Sequence, residues 1–195
     1  MSLPSVQVAA MLLTGGASRR MGRDKTLLIV DGLAIARRSA DVLARVVATA
    51  IEVGPGHSGL AATREDPPGG GPLAAIAAGR QWLRARGHDG PALVLAGDLP
   101  AVSEALLAFL VEYEAPGTVL PTVDGRVQPL LARWGARDLD EASDYLERGV
   151  RSLRHLGEQA DVTLLDESLW GQVASRDTFD DVDTPEDLAR HGIVP

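Results

Sequence analysis

The sequence predicts one α/β domain built around a mostly parallel sheet. Strand-like apolar runs alternate with amphipathic, helix-like stretches along the chain, which is the order expected of β–α units. Several runs are apolar at nearly every position, as in residues 6–13, and this is typical of strands buried on both faces. The chain has 195 residues, the ordinary size of a single domain.

The amino-terminal half is expected to alternate strand and helix. A proline- and glycine-rich loop at 66–72 leads into a helix that begins at Pro72, because proline lacks the N–H that has no partner at a first helical position. The predicted strands cover residues 6–13, 49–53 and 92–96, and the predicted helices cover residues 34–47 and the segment from Pro72 onward.

The carboxyl-terminal half is expected to continue this pattern with shorter elements. Ser103 is the predicted N-cap of a helix, because its hydroxyl can accept from an amide of the first turn. Asp124 and Gly125 favour a tight turn between two short strands. The predicted strands cover residues 119–121, 126–132 and 162–165, and the predicted helices cover residues 103–113, 134–148, 151–156 and the segment from 184 onward.

The composition excludes several classes of function. A net charge of −8 and a pI of about 4.9 argue against a nucleic-acid-binding surface, which is usually basic. The absence of cysteine excludes disulfides, thiolate catalysis and cysteine-based metal sites. The sequence shows neither the basic region of a signal peptide nor an apolar run long enough for a membrane span. A cytoplasmic protein without nucleic-acid or membrane partners is expected.

The segment directly after the first strand is the most informative part of the chain. Residues 15–25 contain four basic residues and one acidic residue, so this segment carries +3 in a chain that carries −8. Glycine lets backbone N–H groups approach a ligand closely, and arginine and lysine suit phosphate oxygens. A cationic loop in an acidic protein indicates a small anionic ligand.

Two common nucleotide-binding fingerprints do not fit this segment. A Walker A loop requires Gly-x-x-x-x-Gly-Lys-Ser/Thr, but Gly22 is followed by Arg23, and the lysine comes only at Lys25. A dinucleotide-binding fold requires Gly-x-Gly-x-x-Gly at the first strand, and that spacing is absent there. A P-loop hydrolase is therefore disfavoured.

Another pattern does fit the segment. Residues 13–25, Leu-Thr-Gly-Gly-Ala-Ser-Arg-Arg-Met-Gly-Arg-Asp-Lys, resemble the signature loop of the molybdenum cofactor guanylyltransferases. Four further segments resemble motifs of that family in the same order. They are Gly71-Pro72-Leu73-Ala74-Ala75-Ile76, Gly97-Asp98-Leu99-Pro100, Gln128-Pro129-Leu130 and residues 179–188 (Phe-Asp-Asp-Val-Asp-Thr-Pro-Glu-Asp-Leu).

This resemblance implies a three-layer, Rossmann-like nucleotidyltransferase fold. It implies a nucleotide-binding half at about residues 1–100, an acceptor-binding half at about residues 101–195, and Mg²⁺ as the cofactor. The implied substrates are GTP and molybdopterin, with or without molybdenum, and the implied products are a guanine dinucleotide cofactor and pyrophosphate. Molybdoenzyme chaperones and other proteins of molybdenum cofactor synthesis are candidate partners.

The resemblance also assigns roles to single residues. Lys25 is expected on the α-phosphate, Arg19 on the β- and γ-phosphates, and Asp98 on Mg²⁺, so these three are the expected catalytic residues. A carboxylate at Asp98 lies at the carboxyl end of a predicted strand, where ligands bind in parallel sheets. Asp183 could supply a second metal ligand. The nucleotide is expected to contact Leu13, Thr14, Gly15, Gly16, Lys25, Asp66, Gly71 and Asp98.

Gln128 and Asp181 are the expected acceptor contacts. Simpler roles stay open, because Asp66 could close an Asx-turn and Gly71 could be a packing glycine. Asp181 and Asp183 stand where the family often has asparagine and could simply cap the last helix. The four histidines show no ligand spacing and are expected to be surface or structural residues.

Gly15 favours guanine as the base. Related cytidylyltransferases resemble Leu-Ala-Ala-Gly at this point, whereas the guanylyltransferases resemble Leu-Ala-Gly-Gly.

Two alternatives to the guanylyltransferase function stay open. One is a cytidylyltransferase, or another nucleotidyltransferase of the same fold, that acts on molybdopterin or a different phosphorylated acceptor. The other is a non-catalytic protein that binds the nucleotide and delivers cofactor, which would release no pyrophosphate.

Overall fold

The computed structural model describes residues 7–15, 24–159, 161–182, 185–191 and 193. Strands and helices alternate in it as predicted. The strands are β1 (Ala9–Leu13), β2 (Ile29–Val30), β3 (Leu33–Ala34), β4 (Ala50–Val53), β5 (Ala61–Thr63), β6 (Ala92–Ala96), β7 (Thr118–Val123), β8 (Arg126–Val127), β9 (Leu131–Trp134) and β10 (Val162–Leu165). The helices are α1 (Ile35–Val46), α2 (Pro72–Arg84), α3 (Glu104–Glu112), α4 (Ala136–Glu147), α5 (Leu153–Gln159), α6 (Glu167–Trp170) and α7 (Pro185–Arg190).

One sheet contains strands from both halves of the chain. Its strand order is β10-β7-β9-β6-β1-β4-β5, and β8 pairs with β7. The central strand β1 runs parallel to both neighbours, so that Leu13 lies opposite Ala96 of β6 and Val53 of β4. Among the described strands of this sheet, β8 and β9 run antiparallel to their neighbours. The predicted mostly parallel sheet is confirmed.

Helices cover both faces of the sheet, so the domain has three layers. On one face α2, α4 and α5 pack over a core that includes Ile76 and Leu139. On the other face α1, α3 and α6 pack over a core that includes Leu43 and Trp170. These side chains are fully or almost fully buried, and each such burial stabilises the fold by about 1.5–3 kcal/mol.

A smaller core joins residues 28–35 to the carboxyl-terminal part of the chain. The strands β2 and β3 form a hairpin, and the region of α7 packs against it through a cluster that contains Val30, Ile35 and Leu188. Val182 belongs to the same cluster, and its N–H donates to the carbonyl oxygen of Asp98 at 3.3 Å. The late part of the sequence is thereby held at the end of β6.

Most boundaries agree with the sequence prediction. The strands β6 and β10 have their predicted limits, α2 begins at Pro72, and Ser103 caps α3. The strand predicted over 126–132 is wrong as one element, because it is divided into β8 and the start of β9. The helix predicted from 134 begins instead at Ala136, because Trp134 is the buried last residue of β9.

The sequence prediction did not include the short elements β2, β3, β5 and α6. None of the helices within the described ranges combines the length and the apolar character that crossing a membrane requires.

Candidate active site

A cleft of about 220 Å³ lies where β1 and β6 end at the carboxyl edge of the sheet. In open α/β sheets this edge is where ligands bind. Six residues predicted from the sequence line this cleft together, namely Leu13, Thr14, Gly15, Lys25, Gly71 and Asp98. Their roles toward a nucleotide stay predictions, but the fold brings these residues to one place.

Two glycines, one beside the cleft and one in its wall, fix the backbone around it. A Cβ at Gly97 would lie 2.8 Å from Cγ2 of Thr14 and 2.9 Å from the carbonyl oxygen of Leu13, so a side chain there would force the ends of β1 and β6 apart. Gly71 precedes α2 with a φ of 85°, which side-chain-bearing residues rarely adopt. The positive end of α2 therefore begins at the cleft wall, where it favours an anion.

Lys25 is placed by a 3₁₀ turn, Lys25–Leu27. The Asp24 carboxylate starts this turn by accepting from the N–H of Thr26 at 3.0 Å and from the Thr26 hydroxyl at 2.6 Å. The Lys25 side chain is 11% exposed, and its Nζ lies 4.0 Å from Oδ2 of Asp98. Lys25 is also the only lysine in the sequence. Its ammonium group is a compact charge, whereas the guanidinium group of arginine is planar and binds through several donors.

Asp98 follows β6 and faces Lys25 with a side chain that is 30% exposed and so can reach a ligand. Within the described ranges, no group of three His, Cys, Asp or Glu side chains could hold a metal ion. Mg²⁺ usually takes only one or two carboxylates and completes its shell with waters and substrate phosphates. Asp98 therefore fits a Mg²⁺ ion that is shared with a bound triphosphate.

Glu65, rather than the neighbouring Asp66, lines the cleft. Glu65 is 7% exposed, and its Oε1 accepts from the N–H of Gly69 at 3.0 Å. A Cβ on Gly15 would lie 3.5 Å from the same oxygen. Asp66 is exposed and does not line this cleft, so its contact with the nucleotide stays a prediction. No local pattern in the sequence distinguishes these two adjacent carboxylates.

A buried carboxylate, Glu52 of β4, lies next to the cleft and was not singled out by the sequence analysis. It accepts from the hydroxyls of Thr14 and Ser58 at 2.5 and 2.6 Å and from the N–H groups of Gly56, His57 and Ser58 at 2.7, 2.9 and 2.7 Å. Burial raises the pKa of Glu52, but the hydrogen bonds outweigh it and lower the pKa to about 2. The ionised carboxylate ties the end of β1 to the loop after β4.

The predicted acceptor residue Gln128 lies outside this cleft, in a second depression of about 470 Å³. Leu130 lines the cleft that contains Lys25 and Asp98, so the segment 128–130 connects the two depressions. Asp181, the other predicted acceptor residue, is exposed and directly precedes Val182, which contacts the Asp98 backbone. The remaining predicted site residues, Gly16, Arg19 and Asp183, lie outside the described residues.

Sequence comparison identifies the family. Residues 10–162 match the family model of the MobA-like NTP transferase domain. The chain belongs to this family. A molybdenum cofactor guanylyltransferase of Rhodobacter capsulatus is 31% identical over 192 residues, which is 95% of each chain. A probable molybdenum cofactor guanylyltransferase of Opitutus terrae is 33% identical over 162 residues, which is 79% of each chain. The family resemblance inferred from the motifs is confirmed.

Solved structures share the fold of this MobA-like chain. Molybdopterin-guanine dinucleotide biosynthesis protein A from Archaeoglobus fulgidus has a TM-score of 0.78 at 24% identity, with 94% of this chain and 96% of that chain covered. The 2-C-methyl-D-erythritol 4-phosphate cytidylyltransferase of Thermus thermophilus has a TM-score of 0.64 at 17% identity, with 95% and 96% covered. The three-layer nucleotidyltransferase fold is confirmed, but the fold by itself does not select the base.

Proposed function

We propose that this MobA-like protein transfers GMP from GTP to the terminal phosphate of molybdopterin, with or without molybdenum, and releases pyrophosphate. The observation that carries the proposal is the pairing of Lys25 with Asp98, which sets a cation and a carboxylate 4.0 Å apart in the cleft. A triphosphate with its Mg²⁺ ion requires both charges at one place. The names of the Rhodobacter and Opitutus relatives support a guanine nucleotide as the donor and the molybdenum cofactor as the acceptor.

In the proposed reaction, an oxygen of the acceptor phosphate attacks the α-phosphorus of GTP. The new oxygen–phosphorus bond forms, the bond from the α-phosphorus to the α,β-bridging oxygen breaks, and pyrophosphate leaves with that electron pair. The attacking oxygen is already ionised at neutral pH, so the reaction needs no strong general base. Catalysis then rests on alignment and on neutralisation of charge.

This chain would supply that neutralisation from two sides of the cleft. The ammonium group of Lys25 would face the α-phosphate, where charge develops in the transition state. Asp98 would hold Mg²⁺, which supplies further neutralisation of phosphate oxygens when it is bound. Arg19 remains the proposed contact of the β- and γ-phosphates.

The choice of guanine over cytosine is supported by the chemistry of the cleft. Guanine presents N1–H and N2–H₂ side by side, and a carboxylate can accept from both donors. Cytosine presents an acceptor at N3 beside its amino group, so a carboxylate there meets a repulsive lone pair. Glu65 is a carboxylate on the cleft wall next to Gly15, the position that distinguishes the two classes in the sequence.

We also propose that the carboxyl-terminal half receives molybdopterin. Gln128 shares the second depression with Arg126, whose positive charge suits an anionic acceptor. Asp181 directly precedes Val182, whose N–H donates to the carbonyl oxygen of Asp98, so Asp181 is the second candidate contact of molybdopterin. A cytoplasmic location, and chaperones or other molybdenum cofactor proteins that receive the product, complete the proposal.

The experiment incubates the purified protein with Mg²⁺, molybdopterin and one nucleoside triphosphate at a time, and measures pyrophosphate and product mass. GTP should give molybdopterin guanine dinucleotide with an equimolar amount of pyrophosphate. A higher rate with CTP would identify a cytidylyltransferase instead. Binding of GTP without any pyrophosphate release would favour the non-catalytic delivery protein.

A further inference from the structure

One imidazole lies against the turn that carries Lys25. The Nδ1 atom of His57 is 3.4 Å from Oδ2 of Asp24 and 3.2 Å from the hydroxyl oxygen of Thr26. The Thr26 hydroxyl already donates to Oδ1 of Asp24, so both atoms present oxygen acceptors to the ring. The tautomer that carries its proton on Nδ1 can donate to either of these two oxygens. His57 does not line the cleft.

The backbone of His57 is held by a different residue from those that its ring contacts. Its N–H donates to Oε1 of Glu52 at 2.9 Å, and the same carboxylate accepts from the residues on either side, Gly56 and Ser58, at 2.7 Å each. Glu52 itself belongs to the central sheet and is fully buried. The imidazole therefore projects from a rigid support rather than from a free loop.

These contacts connect the sheet to the proposed catalytic lysine. Glu52 accepts a hydrogen bond from the backbone N–H of His57, and the His57 ring contacts Oδ2 of Asp24. The other carboxylate oxygen of Asp24, Oδ1, caps the 3₁₀ turn that begins at Lys25. A displacement of about 1 Å in a group that stabilises a transition state can cost on the order of a hundredfold in rate. Small movements of this turn are therefore expected to lower the rate of the proposed reaction.

We infer that His57 is a positioning residue, which steadies the Asp24–Thr26 turn so that the ammonium group of Lys25 stays opposite Asp98. This inference rests on the proposed function, because it assigns a purpose to the placement of Lys25. It contradicts the expectation that all the histidines are surface or merely structural residues. His57 acts through Asp24 and does not itself line the cleft.

The first test compares kinetics of His57→Ala and His57→Asn with those of the unaltered protein. The alanine variant should lose about tenfold or more in kcat, with a smaller change in the KM for molybdopterin. Asparagine places an N–H donor near the position of Nδ1 and should restore most of the rate. His88→Ala is the matched control, because His88 also contacts a threonine hydroxyl at 3.2 Å, that of Thr49, but at the other end of the sheet.

A double-mutant cycle tests whether His57 acts through Lys25. If it does, His57→Ala should have little further effect on the residual rate of Lys25→Ala, so the two losses should not add. Additive losses, or equal rates for His57→Ala and the unaltered protein, would overturn the inference.

A third measurement needs no catalytic activity. Lys25 is the only lysine, so acylation of side-chain amines, followed by peptide mass measurement, reports on Lys25 alone. In the free protein, His57→Ala should accelerate this acylation severalfold, whereas His57→Asn and His88→Ala should not. Unchanged acylation would overturn the inference even if the protein turned over GTP. A protein without transferase activity would overturn the proposed function, and the acylation rates would still decide the role of His57.

Discussion

The ammonium nitrogen of Lys25 lies 4.0 Å from Oδ2 of Asp98, although the two residues follow different strands. Lys25 comes after β1 and Asp98 after β6, and these strands are parallel neighbours in the sheet. Both side chains are partly covered, so the attraction between them is screened less than at an exposed surface. The pair therefore sets a cationic and an anionic group at one point of the cleft, which is where we propose that the triphosphate and Mg²⁺ are bound.

Replacement of Lys25 by alanine should lower kcat for pyrophosphate release by about 10²–10³-fold, the usual cost of removing one group that stabilises developing negative charge. The fold should persist, because Lys25 is not part of either hydrophobic core that packs the helices on the sheet. Initial rates and a thermal melt measure the two effects. Arg37→Ala is the control, since its exposed side chain pairs only with Asp41 in the same helix among the contacts described. Near-normal turnover by Lys25→Ala would contradict the role.

Asp98→Asn should remove most transfer activity and raise the Mg²⁺ concentration required for half-maximal rate by about tenfold or more, because an amide is a much weaker ligand for this hard cation. Chelation of divalent ions should likewise stop the unaltered protein, and added Mg²⁺ should restore it. Rates measured across a Mg²⁺ titration provide the test. An unchanged Mg²⁺ requirement in the variant would show that another group holds the ion.

Glu65→Gln should weaken the preference for GTP over CTP by about tenfold, since a neutral amide no longer accepts from both guanine donors. The hydrogen bond from the Gly69 N–H can be retained by the amide oxygen, so the loop should keep its shape. Asp66→Asn is the matched comparison, because it makes the same charge change at the adjacent, exposed position. The ratio of kcat/KM for the two nucleotides is the quantity to measure. A larger effect at Asp66 would favour the sequence assignment over the cleft geometry.

Acid should destabilise the protein through Glu52. Its pKa is lowered from 4.5 to about 2 in the folded state, so this carboxylate contributes stability that is fully present above pH 4.5 and is lost as the pH falls toward 2. The contribution is roughly 3 kcal/mol, from about 1.4 kcal/mol per pKa unit. Urea unfolding at several pH values measures it.

Glu52→Gln should reduce the pH dependence of unfolding over this range, and it should be less stable at pH 7, because an amide group would face several donors. Glu104→Gln is the control, since the Glu104 side chain is half exposed and its ion pair with Arg45 contributes little. An equal acid dependence in Glu52→Gln and in the unaltered protein would contradict the assignment.

Arg80→Ala should lower the free energy of unfolding by about 3 kcal/mol and leave kcat nearly unchanged. The Arg80 guanidinium is almost fully buried and donates to Asp140 at 2.8 Å and to the carbonyl oxygens of Gly90 and Asp89 at 2.8 and 3.0 Å. It lies at the end of the sheet away from the cleft. Arg84→Ala removes a 3.2 Å contact to the same Asp140 from an exposed position and should cost less than about 1 kcal/mol. Denaturant curves distinguish the two.

The sequence predicted secondary structure best where neighbouring residues alone set the local conformation. The strand Ala92–Ala96 was predicted to the residue, because five consecutive apolar side chains are typical of a short strand that is buried on both faces. The start of α2 at Pro72 and the cap at Ser103 follow from the requirements of single backbone groups. The strand β5 was missed because its three residues, Ala61–Thr63, are largely exposed and show no periodic pattern.

The sequence by itself determined the α/β class, the family and six of the residues that line the cleft, since glycines, a cationic loop and a strand-ending carboxylate each have a local chemical meaning. The tertiary structure alone decided the 4.0 Å approach of Lys25 to Asp98, the choice of Glu65 over Asp66 as the cleft carboxylate, and the contact of His57 with Asp24. These relationships depend on which strands become neighbours and on which way a backbone turns after each of them. Neither is encoded in the residues adjacent in the chain.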